Sequence, residues 1–234
     1  MWNVLPHGAL EPVVPGVWVV RGSLPDMPLP RYMVACQRGD ELLLHSPICL
    51  DEPGMAALEA LGRPTTLIVP NGGHRLDAPA FRERYPEAKL LAPAAARAKV
   101  EEKVPVDATC EEAVEALGLR WHAPPGFVPG YELVYEVPGE GGVTLVVNDV
   151  LANVTGKAPG LSGFVLGLLG VPGGGFGRPR IVSLRFGRDR GAFKPWLEAQ
   201  AAREDLVAIT TSHGPPVVGR AEVKAKLAEA ASKL

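Results

Sequence analysis

Chemistry in this 234-residue chain gathers where apolar runs stop. His45 and Ser46 follow ELLL, and Asn71 to Asp77 (NGGHRLD) follow TLIVP, with His74 and Asp77 three apart. Asn148 and Asp149 follow TLVV, and Ser212 and His213 follow VAITT. Imidazoles and carboxylates are ligands for zinc, iron or manganese, and a metal needs such groups delivered from separate elements to one point. A hydroxyl close to an imidazole is the minimal nucleophile arrangement, with His74 or His213 as base to Ser46 or Ser212, although no GxSxG-like elbow accompanies these serines. Each histidine also reads as a hydrogen-bonded group that holds its own loop. Metal binding, metal-free acid–base chemistry and a structural role all remain open on residue types alone.

Two other features invite a functional reading. VPGGGFGRPR (Val171 to Arg180) is glycine-rich, but without a GK[ST] ending and a strand–loop–helix frame it reads as a lid hinge rather than a phosphate cradle. Arg178, Arg180, Arg185, Arg188 and Arg190 make a local positive patch, either a solvated face or a greeting for an anionic substrate.

The elements that must position these residues can be read from periodicity. GVWVVRGSL (16–24) is a strand, and RYMVACQRGDELLLHSPI is a hairpin turning at Arg38-Gly39-Asp40. Asp51 precedes a short helix over EPGMAALEALG, marked by a proline near its start and a glycine after its last apolar residue. TTLIVP is a buried strand, APAFRERYP a two-turn helix, KLLAP a strand and AAARAKVEEK another helix, which is a β-α-β-α rhythm. CEEAVEALG fits a helix or a strand, LRWHAP is extended, and YELVYEV and GVTLVVNDV form a second hairpin across PGEGG. DRGAFKPWLEAQAARE is a helix despite Pro195, DLVAITTSHG a strand ending in a loop, and GRAEVKAKLAEAASKL an amphipathic helix. The Gly/Pro-rich stretch from 153 to 180 is long enough to be a lid or insertion in one domain spanning residues 1–234.

With 47% hydrophobic residues, 21% charged and a net charge of −2, the chain has no basic excess that would suit nucleic acid. Cys36, Cys49 and Cys110 are odd in number with no CxxC spacing, so a reducing compartment is expected rather than a disulfide framework. MWNVLPHGALEP lacks the basic and apolar regions of a secretory signal, which points to the cytoplasm. LSGFVLGLLGVPGGGFG (161–177) is interrupted by Pro172 well short of the ~20 residues that a membrane span needs. Its apolar part either covers the cleft or docks on a second copy of the chain, which would make a homo-oligomer.

The order of the loops resembles the metallo-β-lactamase superfamily over approximately Gly16 to Pro215. In that family a strand ends in an Asp-containing turn, another in Thr-His-x-His-x-Asp-His, and a Pro-Gly-His-Thr-Pro-Gly loop opens a hairpin that ends in Gly-Asp. A last strand ends in His-Gly. More narrowly, LLLHSPICLD, VPNGGH and NDVLAN resemble a branch of this fold catalogued as a domain of unknown function. The resemblance implies an α/β fold, an αββα sandwich of two mixed β-sheets with the site along one edge.

Carried over by position, the resemblance puts Gly72 at the first histidine of the long motif, His74 at the second, Leu76 at the aspartate and Asp77 at the third histidine. Phe127, in PPGFVPG, takes the place of a metal-binding histidine, His45-Ser46 replaces the early Asp turn, Asn148-Asp149 matches Gly-Asp, and His213-Gly214 matches His-Gly. One metal of the family's usual zinc pair would keep only His74 and Asp149. The other would keep Asp77, Asp149 and His213, a set for a single Zn, Fe or Mn ion. The leading expectation is therefore a fold member that has lost the zinc pair and carries no cofactor. Its remnant cleft would bind a small ligand against His45, Ser46, Asn71, Phe127 and Asn148, kept dry by Leu76 and Phe127. A second expectation is a mononuclear metal-dependent hydrolase or oxidoreductase acting on an ester, thioester or phosphoester, with His74 as base or oxyanion partner. A third is an interaction module that uses the apolar 161–171 segment.

Overall fold

In the computed structural model, residues 1–25, 27–154, 167–168, 170–171 and 174–234 are described. The chain opens with four antiparallel strands, β1 (His7–Val14), β2 (Val17–Leu24), β3 (Met27–Arg38) and β4 (Glu41–His45). The β3–β4 turn falls at the expected Gly39-Asp40. Helix α1 (Glu52–Glu59) follows, its first turn closed by the Asp51 carboxylate, which accepts from the Gly54 N–H at 2.8 Å. β5 (Arg63–Ile68), β6 (Lys89–Ala92) and β7 (Ala108–Thr109) then add in parallel, with α2 (Ala78–Arg84) and α3 (Arg97–Glu101) as crossovers. The first sheet is thus seven strands in sequence order, antiparallel at one end and parallel at the other.

CEEAVEALG resolves into a short helix, α4 (Cys110–Ala113), and one 3-10 turn (Glu115–Leu117). A second, five-stranded sheet runs β14-β13-β10-β9-β8, from β8 (Arg120–His122), β9 (Val134–Gly139), β10 (Gly142–Val146), β13 (Leu206–Thr210) and β14 (Val217–Val218). β9 and β10 form the expected hairpin, and β13 lies parallel to β10. Helices α5 (Arg180–Phe186), α6 (Arg190–Ala201) and α7 (Arg220–Ser232) complete the second half.

Alternation along the strands builds four layers, because successive side chains point to opposite faces. Met33, Ala35, Leu42 and Leu44 pack with Met55, Leu58, Phe81 and Val100 of α1–α3. Their neighbours Val34, Cys36 and Leu43 face inward to meet Tyr135, Val137, Val146 and Ala208 of the second sheet. Val134, Leu145 and Ile209 take the outer side, under Phe193 and Leu197 of α6 and Val223 and Leu227 of α7. This is the αββα sandwich with two mixed sheets that the resemblance implied.

Several elements escaped the sequence reading. β1 is an edge strand whose side chains are mostly solvated and which contains Pro12, so it shows little apolar alternation. β11 (Ala152–Val154) and β12 (Gly175–Gly177) pair antiparallel, closing the base of the Gly/Pro-rich stretch as a two-stranded ribbon. α5 begins at Arg180, directly behind Pro179, where glycines and prolines masked the helical pattern. The interior of that stretch, and with it most of the apolar 161–171 segment, lies outside the described residues. Among the described residues, no helix is long and apolar enough to cross a membrane. The three cysteines are free and buried, and burial pushes each thiol up to about 12.

Candidate metal centre

The loops after β4, β5, β10 and β13 meet at one edge of the sandwich, as strand ends do in α/β architectures. β5 delivers His74 through a short loop that Asn71 organises. The Asn71 side-chain oxygen accepts from the Gly73 N–H at 2.7 Å, and the Asn71 carbonyl accepts from the His74 N–H at 3.1 Å. Ser46 directly follows β4, and its φ of 56° places a non-glycine residue in the left-handed region. Its N–H remains tied to the Ile68 carbonyl at 2.9 Å, and its hydroxyl lies 3.0 Å from His74 Nδ1.

Asp149, just past β10, is the hub. Its Oδ1 stands 3.1 Å from His74 Nε2 and 3.3 Å from His213 Nε2, and its Oδ2 accepts from the Asn71 amide at 2.8 Å and the Tyr131 hydroxyl at 3.4 Å. His213, past β13, is fixed from behind. Its Nδ1–H donates to the Pro30 carbonyl at 2.8 Å, and the His213 carbonyl accepts from the Asn153 N–H at 2.9 Å. The glycine that follows is obligatory: Gly214 has φ 130°, and a Cβ there would stand 1.9 Å from the Asn153 oxygen.

These contacts favour a cation. A carbonyl only accepts, so His213 Nδ1 must carry the ring hydrogen, and Nε2 of the neutral ring turns a lone pair toward a carboxylate oxygen 3.3 Å away. Either a second proton on the ring or a positive ion must lie between them. Burial alone would lower the His213 pKa, but the hydrogen bond and charge of Asp149 outweigh it and raise the value. Burial would likewise raise the Asp149 pKa, but the two histidines hold it well below the carboxylate range.

The ligand atoms of His74, Asp149 and His213 all lie within 4.8 Å of one another. Ligands of a tetrahedral ion with bonds near 2 Å stand roughly 3.3 Å apart, so the two spacings to Asp149 already match. Two imidazoles and a carboxylate make a set for one zinc, iron or manganese ion with an open position.

Other residues singled out in the sequence lie elsewhere. Asp77 is not part of the cluster: its Oδ2 pairs with Arg31 at 2.7 Å and accepts from the Cys49 N–H at 2.9 Å, both charged side chains being almost fully buried. Of the residues expected as ligands, the structure brings His74, Asp149 and His213 together and leaves Asp77 on Arg31. Leu76 is 47% exposed and Phe127 packs edge-on against Phe193 in the second core, so this pair does not close the cleft. At Gly72 a Cβ would stand 2.4 Å from Lys99 Cγ, so the lysine stem fills the space beside the motif's first histidine position.

His45 does not line the opening either. It is buried edge-on against Tyr135, and burial, with the nearby His74 charge, brings its pKa down to about 3. Asn148 is fully buried and accepts from the Ser212 hydroxyl, so both are framework.

Two residues at the site were not expected from the sequence. Tyr131 donates to Asp149 while its ring stacks on Phe186 at 3.9 Å. Burial raises the phenol pKa, as does the Asp149 charge, so the hydroxyl stays protonated. Glu132 accepts from three consecutive amides, those of Asn148, Asp149 and Val150, at 2.7, 2.7 and 2.9 Å. Both follow directly on PPGFVPG, a motif that drew attention to position 127 instead.

The layers, the strand order and the edge site define the metallo-β-lactamase fold, and this chain has it. Solved structures agree over nearly its whole length. The metallo-β-lactamase FIM-1 from Pseudomonas aeruginosa, in its mono-zinc form, superposes with a TM-score of 0.62 at 16% identity, covering 98% of this chain and 96% of that one. A metallo-β-lactamase from Erythrobacter litoralis with beta mercaptoethanol in its active site gives 0.60 at 15%, covering 99% and 100%. An NDM_FIM-1 like enzyme from the same organism, in the mono-zinc form, gives 0.57 at 20%, covering 97% of each chain. No family model and no curated protein matches the sequence.

Proposed function

We propose that this protein is a mononuclear metal-dependent hydrolase on the metallo-β-lactamase fold, its ion held by His74, Asp149 and His213, and that it has given up the usual zinc pair. One observation carries the reading: two Nε2 atoms and a carboxylate oxygen from three separate loops lie within 4.8 Å of one another. Gly72, Leu76 and Phe127, standing where the resemblance puts further ligands, support one ion rather than two. An ion bound there supplies Lewis acidity and lowers the pKa of a coordinated water.

The chain's own groups do the rest. Pro30 fixes the His213 tautomer with Nε2 facing inward, and the Ser46 hydroxyl, able to donate or accept, suits either tautomer of His74. Asn71 and Tyr131 hold Asp149 Oδ2, leaving Oδ1 for the ion. The protonated Tyr131 hydroxyl is also a donor for an oxygen that gains charge during acyl or phosphoryl transfer. The substrate class is a small ester, thioester or phosphoester.

Element analysis of untagged protein tests the reading. About one zinc, iron or manganese per chain, lost in Asp149→Asn together with any esterase activity, supports it; metal-free protein that takes up no ion on reconstitution refutes it. Metal-free protein that still binds a small molecule in the cleft would favour the scaffold reading, which the same three replaced positions also suit.

A further inference from the structure

We propose that Glu132 is a positioning residue for this centre: it clamps the backbone of the loop carrying Asp149. The inference rests on the metal-site reading above. The Glu132 side chain is buried at 1% exposure, an unusual place for a carboxyl group with no ion pair among the described residues. Its hydrogen-bond partners instead are the N–H groups of Asn148, Asp149 and Val150, with Oε1 taking the first and Oε2 the other two.

Three consecutive amides converging on one side chain fix the backbone on both sides of Asp149. The adjacent Tyr131 and the distant Asn71 hold that residue's carboxylate, so positions 131 and 132 grip Asp149 from its side chain and its main chain at once. Both side-chain oxygens act as acceptors here, one for a single amide and the other for two. A glutamine of the same shape presents an NH2 where an oxygen was, and turns a donor toward at least one amide.

The test compares cobalt(II) binding by wild-type protein and E132Q, with melting temperature and circular dichroism as checks on folding. Groups that orient metal ligands in this way are typically worth 10–100-fold in affinity. E132Q is therefore expected to remain folded, to bind cobalt(II) about 10–100-fold more weakly, and to show an altered visible spectrum as Asp149 loses its orientation. A folded E132Q with unchanged affinity and spectrum, and only a lower melting temperature, makes Glu132 a loop staple and overturns the proposal.

Wild-type protein that takes up no cobalt(II) overturns the metal reading instead. The clamp is then judged from amide NMR of the wild-type chain alone, which also serves if E132Q does not fold. Downfield, slowly exchanging protons at Asn148, Asp149 and Val150 support the clamp, and ordinary, fast-exchanging ones refute it.

Discussion

Replacing Asp77 separates a strut from a ligand. In the sequence motif it stands at a metal position, but in the fold it neutralises Arg31, and both side chains are 6% exposed. Removing one partner of a buried ion pair leaves the other charge uncompensated, at a cost of about 3–5 kcal/mol. The Cys49 N–H, 2.9 Å from Asp77 Oδ2, would lose its acceptor as well. For a chain of this size such a loss lowers the melting temperature by on the order of 10 °C. Asp77→Ala should therefore unfold at markedly lower urea concentration, yet keep whatever metal the wild-type protein holds. Arg31→Met combined with Asp77→Leu should recover much of the loss, because a buried pair replaced by apolar groups is often neutral. Loss of metal from Asp77→Ala with an unchanged unfolding midpoint would refute this assignment and return Asp77 to the ligand set.

Other perturbations probe separate parts of the structure. His213→Ala should remove a ligand and the bond to Pro30 together, lowering zinc affinity by at least about 100-fold in a competitive chelator titration. Gly214→Ala should cost several kcal/mol, seen as poor soluble yield or a much lower unfolding midpoint, because its Cβ would overlap the Asn153 carbonyl. Phe193→Ala empties a fully buried ring site in the second core and should cost about 3–5 kcal/mol in denaturant unfolding. Acid should weaken the metal-free fold through His45, whose folded pKa is about 3 against 6.5 when unfolded. Below pH 6.5 the unfolded chain binds the extra proton, so stability falls as pH drops toward 3. His45→Leu should flatten that acid limb in unfolding midpoints measured from pH 7 to 4.

Most of the fold was legible because its strands and helices follow simple periods. VWVVRGSL, TTLIV and VAITT are apolar runs bounded by turn residues, and the hairpin turns at Gly39-Asp40 and near Gly141 carry their own chemistry. β1 was hidden because an edge strand with solvated faces has no core to alternate against. At the site, strand-end position drew attention to His74, Asp149 and His213, but could not say which way each neighbour points. Asp77 and Asp149 are the same residue type at comparable places, and only the packing of Arg31 from β3 separates them. Glu132 was invisible for a related reason: its partners are backbone amides sixteen to eighteen residues away, and amides leave no trace in a sequence.

The ribbon of contacts through His213 has a consequence for how the molecule acquires its site. Its Nδ1 reaches Pro30 across 183 residues, and Asp149 meets His74 across 75. Such distant closures cost chain entropy before any contact rewards them, and topologies built on them fold slowly. His74 comes from the first sheet and Asp149 and His213 from the second, so the centre is complete only when the two sheets are docked. An ion that binds only the finished centre would draw the folding equilibrium forward in proportion to its concentration. Metal capture would then double as a check on assembly, since a half-formed chain would offer the ion only scattered side chains.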